Sequence, residues 1–130
     1  MTQEEIIEGN KLIAEFMGWW FDIGDKRKYI RILDEKNFEY LKSENDLLFN
    51  SSWDWLMSAV EKIESIIDKH HGYFGVYISS NNCSIQGTNF RSDKIVNPPI
   101  YLCESYGDTK LEATYIMCIK FIKWYNENKK

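Results

Sequence analysis

The chain has 130 residues, a net charge of −4, 44% hydrophobic residues and three cysteines. This length fits one domain, which buries about two-thirds of its unfolded surface and needs no disulfide or metal to hold a core. The mild acidity argues against nucleic-acid binding. The odd cysteine count without a CxxC pair, the acidic N-terminus and the lack of a ~20-residue apolar run predict a reduced, cytoplasmic protein outside the membrane.

The first helix is predicted to follow Thr2, because Thr2 and Glu5 have capping-box spacing, and to stop at Gly18. Gly9 and Asn10 weaken its middle, since both have low helix propensity. The β-branched segment 28–33 then predicts a strand. Residues 34–50 contain apolar side chains but no clear period, and they stay unassigned.

The second helix is predicted to start at Ser51–Asp54 and to end at His70–Gly72. At about 100° per residue its apolar surface spans about 200°, wider than that of an ordinary surface helix. Trp53 and Trp55 mark the two edges of this surface. We therefore expect one flank to contact a sheet and the other a helix or loop.

The next two strands are predicted at Tyr73–Ser79 and Cys83–Thr88, joined by a turn at 80–82 into an antiparallel pair. Alternation in the first of them puts Phe74, Val76 and Ile78 on one face. A short strand at Ile100–Cys103 follows two prolines.

The third helix is predicted to begin at a capping box, Thr109–Glu112, and is apolar on nearly every side. It should be the most buried of the three, or its wide apolar surface could form a homodimer. The pattern as a whole predicts one α+β domain over residues 1–130. About three helices pack on a small, largely antiparallel sheet, in an arrangement similar to an α-β-α sandwich.

Three segments carry a resemblance: NKLIAEFMG (10–18), SWDWLMSAVEKIE (52–64) and KLEATYIMCIKFIKWYNENK (110–129). They resemble small uncharacterised proteins of Bacteroidetes genomes, phages and prophages that share the pattern NKLIAEFMG…SWDWLM.VVEKIE…KLEA.Y.AVVEFIKWYN. The chain is similar, more loosely, to phage proteins described as an α-β-α sandwich. Ser58 stands where the pattern usually has proline. The resemblance implies an accessory protein of phage or mobile-element type, and it supplies no catalytic residue.

Trp19, Trp20 and Phe21 precede a basic segment at 26–31 that contains Tyr29, and basic groups interleaved with aromatic residues hold phosphates and stack bases. A ligand site there would use Trp19, Trp20, Arg27 and Tyr29. The alternative, which we favour, is an edge strand protected by its charges, with the tryptophans closing the core.

Neither the histidines nor the cysteines form a reactive constellation in the sequence. His70 and His71 are adjacent, so a regular helix cannot aim both at one metal, and helical spacing offers no third ligand. Cys118 lies within the most apolar helix face, where a thiol stays un-ionised and inert. The sequence therefore predicts no metal, no cofactor and no catalytic residue.

These observations favour a non-enzymatic accessory protein that binds another protein. The chain has five Trp, eight Tyr and seven Phe, and aromatic residues outside the core make good interface anchors. A small-ligand or nucleotide binder that uses the segment 19–31 is the alternative. A small enzyme comes third, because it requires a cleft with a strongly perturbed titratable group.

Overall fold

A computed structural model describes residues 1–22, 28–32, 35–41, 44–68, 72–88, 90–91, 94–95 and 100–128. This description leaves out the side chains of some residues within these ranges, namely 20–22, 28–30, 40, 44, 68, 88, 90–91, 94–95, 100–103 and 128. The helices are α1 (Gln3–Phe16), α2 (Trp53–Ser65) and α3 (Lys110–Asn128), with a 3₁₀ turn at Glu44–Asp46. The strands are β1 (Trp20–Asp22), β2 (Lys28–Ile32), β3 (Phe38–Leu41), β4 (Ile67–Asp68), β5 (Gly72–Ile78), β6 (Asn82–Thr88), β7 (Phe90–Arg91), β8 (Lys94–Ile95) and β9 (Ile100–Tyr106).

The predicted helix starts are confirmed, because each depends on a local side-chain cap. In α1, Thr2 accepts a hydrogen bond from the Glu5 amide, and the Glu5 carboxylate accepts one from the Thr2 amide. Ser52 caps α2 by the same kind of bond, and the Glu112 amide donates to Thr109 Oγ1 at 3.1 Å. Gly18, at φ +75°, follows the end of α1 as expected.

The predicted end of α2 at His70–Gly72 is wrong, since the helix stops at Ser65. Ile66 already has extended backbone, and Ile67 pairs with Tyr73 of β5. Two consecutive β-branched residues suit an extended chain better than a helix, and sheet pairing decides the outcome. His70 and His71 lie outside the described residues.

The two edges of α2 also differ from the prediction. Trp55 is 7% exposed, whereas Trp53 is 39% and Met57 36% exposed. The buried arc of α2 faces β5 and α3, so Trp53 and Met57, one turn apart, lie on its water side. Only the Trp55 edge is covered.

The described strands form three antiparallel sheets with the orders β1-β2-β3, β4-β5-β6-β9 and β7-β8. The strand predictions at 28–33, 73–79, 83–88 and 100–103 are confirmed, although β9 extends to Tyr106. The unassigned segment 34–50 supplies β3 and the 3₁₀ turn, and its Leu47 and Phe49 are buried.

The α+β class is confirmed, with α2 and α3 packed on one face of the four-stranded sheet and α1 packed on α3. Phe74 of β5 enters this layer, 5.0 Å from the Phe121 ring and 5.9 Å from the Trp124 ring. Among the described elements, the helices lie on this one face of the sheet, whereas a strict sandwich has helices on both. The opposite face is considered below as a surface.

Helix α1 is attached through the two residues that weaken it. A Cβ at Gly9 would lie within 2.7 Å of Ile119 Cδ1 and closer still to Tyr115 Oη, so glycine lets α1 approach α3. The Tyr115 hydroxyl donates to the Ile6 carbonyl at 3.0 Å. Asn10 Nδ2 donates to the Leu47 carbonyl at 3.0 Å. Gly9 and Asn10 therefore have low helix propensity but allow α1 to pack closely on its neighbours.

The three helices run in the same direction. Their C-terminal turns line one groove through Phe16, Lys62 and Tyr125. At the other end, Ile6 and Leu111 line a second groove with Asn50, which lies just before α2. Parallel helices add their dipoles, so one end of the layer is electropositive and the other electronegative. Acidic residues in each first turn offset the positive end.

Candidate interaction surface

The segment 19–31 does not present Trp19 to a ligand. Trp19 is 7% exposed, and its ring lies 4.9 Å from Phe49 and 5.4 Å from Trp55. The Arg31 guanidinium covers this cluster, 4.1 Å from the Trp55 ring centroid, and pairs with Glu39 across β2 and β3 at 3.7 Å. Trp19 therefore closes the core, as the favoured alternative predicted. The edge strand of that alternative is wrong, because β2 lies between β1 and β3 and pairs with both.

The other three candidates of that segment are not brought together in the described structure. Trp20 and Tyr29 lie on paired strands, opposite Ile30 and Phe21 respectively, and their side chains are outside the description. Arg27 lies outside the described residues altogether. A ligand site at Trp20, Arg27 and Tyr29 therefore remains a prediction, whereas the fourth candidate, Trp19, is enclosed in the core.

The thiols of Cys83 and Cys118 are both buried. Burial raises the pKa of Cys118 well above its usual range, and the neighbouring Cys83 adds to this effect. A neutral buried thiol fits the prediction that Cys118 is inert. Within the described part of the chain, no group of three or more His, Cys, Asp or Glu side chains could hold a metal ion.

The strongest surface feature is the sheet face that α2 and α3 leave open. Alternation along β5 buries Phe74 under the helices and turns Tyr73 and Tyr77 outward. The register places Ile67 beside Tyr73, and Ser84 between Tyr77 and Glu104. Ser84 itself is buried between them. We call this surface the tyrosine face; its members are Ile67, Tyr73, Tyr77, Glu104 and Tyr106.

The aromatic members of the tyrosine face are well exposed: Tyr73 by 47%, Tyr77 by 52% and Tyr106 by 63%, with Ile67 at 67%. Tyr77 folds along its strand, so a Cβ at Gly75 would meet three of its atoms within 3.3 Å. The missing side chain of Gly75 therefore lets the Tyr77 ring lie flat on the sheet. A flat ring with one free side is a platform for stacking.

Hydrogen bonds hold the polar corner of the face. The Tyr106 hydroxyl donates to Glu104 Oε2 at 3.3 Å, and Asn82 Nδ2 donates to the same oxygen at 3.4 Å. The four strands β4, β5, β6 and β9 contain no lysine or arginine. The face consequently lacks strand residues that could neutralise phosphate groups, as nucleic-acid binding requires.

Charged helix residues reach the two edges of the same sheet. Glu64 of α2 accepts a hydrogen bond from the Val76 amide of β5 at 3.3 Å. Lys120 of α3 donates to the Glu104 carbonyl of β9 at 3.1 Å. Such contacts occupy backbone groups that another strand would use, which discourages edge-to-edge pairing. The open face is thus more accessible to a partner than the edges are.

Comparisons with known protein families, curated proteins and solved structures give no significant match to this chain. No helix in the described ranges has the length and apolarity needed to cross a membrane. The sequence reasoning missed the tyrosine face, although its signal was present. The alternation that placed Phe74, Val76 and Ile78 inward implies that Tyr73 and Tyr77 point outward.

Proposed function

We propose that this chain is a non-enzymatic accessory protein of phage or mobile-element type, which acts in the cytoplasm by binding another protein through the tyrosine face. The observation that carries the proposal is one open sheet face with three tyrosines at least 47% exposed. Tyrosine is enriched at protein interfaces because it offers a large contact area with few rotatable bonds, whereas lysine is depleted there.

The composition of the face favours a protein over a nucleotide or nucleic acid. Its strands contain no basic residue, and Glu104 adds a negative charge. A phosphate-bearing partner would find no basic side chain on these four strands. A protein partner can instead stack apolar or cationic side chains on the tyrosine rings.

The packing of α3 removes the reason for predicting a homodimer through that helix. Its apolar surface is wide, but α3 contacts α1, α2, β6 and β9 within the same chain. These intramolecular contacts explain why the apolar surface of α3 is so wide. We therefore locate the partner surface on the sheet.

The test compares the tyrosine face with Trp53 and Met57, the exposed apolar pair on α2. A photo-crosslinking residue replaces Tyr77 in one protein and Met57 in the other, and each is used to capture a partner from host cells. The purified partner is then titrated against Y73T/Y106T and against the control W53Q/M57Q. We expect the tyrosine variant to lose at least about tenfold in affinity and the control to keep its affinity.

Two results would contradict the proposal. The first is a partner that crosslinks from position 57 and not from position 77. The second is equal affinity of the partner for Y73T/Y106T and the unaltered chain, when circular dichroism shows the variant folded. If the captured protein is a second copy of this chain, light scattering over a concentration series will show that the chain forms a homodimer.

A further inference from the structure

The tyrosine face has a polar corner at one end of its sheet, formed by Asn82, Glu104 and Tyr106. The register places Asn82 of β6 opposite Tyr106 of β9. Glu104 lies two residues before Tyr106, so alternation turns both side chains to the same side of the sheet, and both are exposed. The corner is part of the surface through which we propose that the protein binds its partner, so an inference about it rests on the proposed function.

Two hydrogen bonds fix the Glu104 carboxylate in this corner. Tyr106 Oη and Asn82 Nδ2 both donate to Glu104 Oε2, at 3.3 Å and 3.4 Å. The backbone beside them is also held, because the Gly107 amide donates to the Asn81 carbonyl at 3.0 Å. A carboxylate has about four lone-pair sites, so it can accept further hydrogen bonds. A side chain that is already ordered loses less entropy when a partner binds.

The Tyr106 ring lies beside this carboxylate and is 63% exposed. Because its hydroxyl contacts Glu104, the ring and the carboxylate are within reach of one planar cation. A guanidinium suits both, since it stacks on aromatic rings and carries five N–H donors in a rigid fork. An ammonium is attracted to the ring but has no planar face to stack on it. Arginine is also enriched at protein interfaces, whereas lysine is depleted there.

The basic residues of the neighbouring connections belong to the other end of the sheet. The four strands themselves contain no lysine or arginine. Lys69, Arg91 and Lys94 come just before β5 or just after β6, so in sequence they adjoin the end where β5 begins and β6 ends. A strand rises about 3.3 Å per residue, so the six steps from Asn82 to Thr88 separate the two ends by about 20 Å.

One lysine of α3 reaches the edge of the sheet next to the corner. The Lys120 ammonium donates to the Glu104 carbonyl at 3.1 Å, and α3 packs on the sheet face opposite the tyrosines. Within the described chain, no cation lies over the Tyr106 ring. Lys120 thus offsets part of the charge of Glu104 and leaves the ring open. We propose that the protein partner presents an arginine to this corner, where its guanidinium stacks on the Tyr106 ring and donates to the Glu104 carboxylate.

The test uses the blocked tripeptide acetyl-Gly-Arg-Gly-amide as the probe, with its citrulline and lysine counterparts as comparisons. Citrulline keeps the shape of arginine without its charge, and lysine keeps the charge without the planar group. Titration is followed by ¹H–¹⁵N NMR at the amides of Asn82, Glu104 and Tyr106. We expect saturable shifts with the arginine peptide, at least about threefold weaker binding of the citrulline peptide, and an intermediate affinity for the lysine peptide.

Matched variants separate the corner from general charge. E104Q removes the carboxylate, and E61Q makes the same change at an exposed position of α2. Y106T removes the ring of the corner, and Y73T removes an exposed tyrosine at the other end of the face. Binding of the arginine peptide should fall at least about threefold in E104Q and Y106T and persist in E61Q and Y73T. The partner captured through position 77 should likewise bind E104Q more weakly than E61Q.

Equal binding of the arginine and citrulline peptides to the unaltered protein would overturn the proposal, as would no saturable shift at the corner amides. Equal losses in E104Q and E61Q would do the same. If the partner binds Y73T/Y106T weakly but binds E104Q as tightly as the unaltered chain, the arginine contact is wrong and the proposed function stands. If Y73T/Y106T keeps full affinity for the partner, the proposed function is wrong. The peptide comparison needs no variant, so it decides the matter even if a variant fails to fold.

Discussion

Replacing Gly9 by alanine tests the close contact between α1 and α3. Helix propensity alone predicts stabilisation, because alanine is better than glycine by about 1 kcal/mol in a helix interior. The structure predicts the opposite sign. The new Cβ would lie 2.7 Å from Ile119 Cδ1 and 3.1 Å from Tyr115 Cζ, and it would overlap Tyr115 Oη. Either α1 moves away from α3 or the Tyr115 side chain is displaced.

The expected cost follows from three contributions. Overpacking a well-filled core costs about 1–3 kcal/mol. Displacing the Tyr115 hydroxyl from the Ile6 carbonyl costs about 1 kcal/mol more, because the Tyr115 side chain is buried and the hydrogen bond is partly buried. The gain in helix propensity offsets about 1 kcal/mol. The free energy of unfolding should therefore fall by about 1–3 kcal/mol, a drop of several degrees in Tm.

Urea unfolding followed by tryptophan fluorescence measures this change, and a double-mutant cycle with Y115F locates its origin. In the Y115F protein, G9A should cost less, since the overlapping oxygen and its hydrogen bond are already gone. We expect a coupling of about 1 kcal/mol between the two positions. If G9A stabilises the protein by about 1 kcal/mol in both backgrounds, α1 does not approach α3 as described.

Three further outcomes are expected from urea unfolding. R31M should lower the free energy of unfolding by about 0.5–2 kcal/mol, because the guanidinium above Trp55 is lost, and R31K should recover part of it; no loss in R31M would contradict this contact. N10A should cost about 1–3 kcal/mol by leaving the Leu47 carbonyl without its donor, and N10D, which also lacks the donor, should be no better. Burial raises the pKa of Tyr115, so above about pH 10 the unfolded chain loses a proton that the folded chain retains. The free energy of unfolding should then fall as pH rises, and it should fall less steeply in Y115F. Equal slopes in the two proteins would contradict this role of Tyr115.

Helix starts could be predicted from the sequence because capping is local. Thr2 and Glu5, or Thr109 and Glu112, lie within four residues of each other, so their hydrogen bonds depend little on the rest of the fold. The end of α2 is different. It depends on the pairing of Ile67 with Tyr73, which the isolated helix pattern does not contain.

The burial of the two α2 tryptophans could not be predicted for a related reason. Helical periodicity places Trp53 and Trp55 on opposite edges, but it does not say which edge has a neighbour. Trp55 is covered because Trp19 and Phe49, from two separate loops, converge on it. The tyrosine face was predictable in part, since alternation gives the outward residues of β5. Its exposure depends on all the described helices lying on the other side.

The parallel arrangement of the helices sets the electrostatic field at the two ends of the helix layer. Each connection between helices contains returning strands, so the three C-termini meet at one end of the layer. Neither α1 nor α2 alone would make that end strongly negative; the sum of three dipoles does. Lys62, one turn before the end of α2, offsets this field and donates to the end of α1. An ammonium at this position stabilises the C-terminal ends of both α1 and α2, so the contact of Lys62 with Phe16 suits the parallel arrangement of the helices.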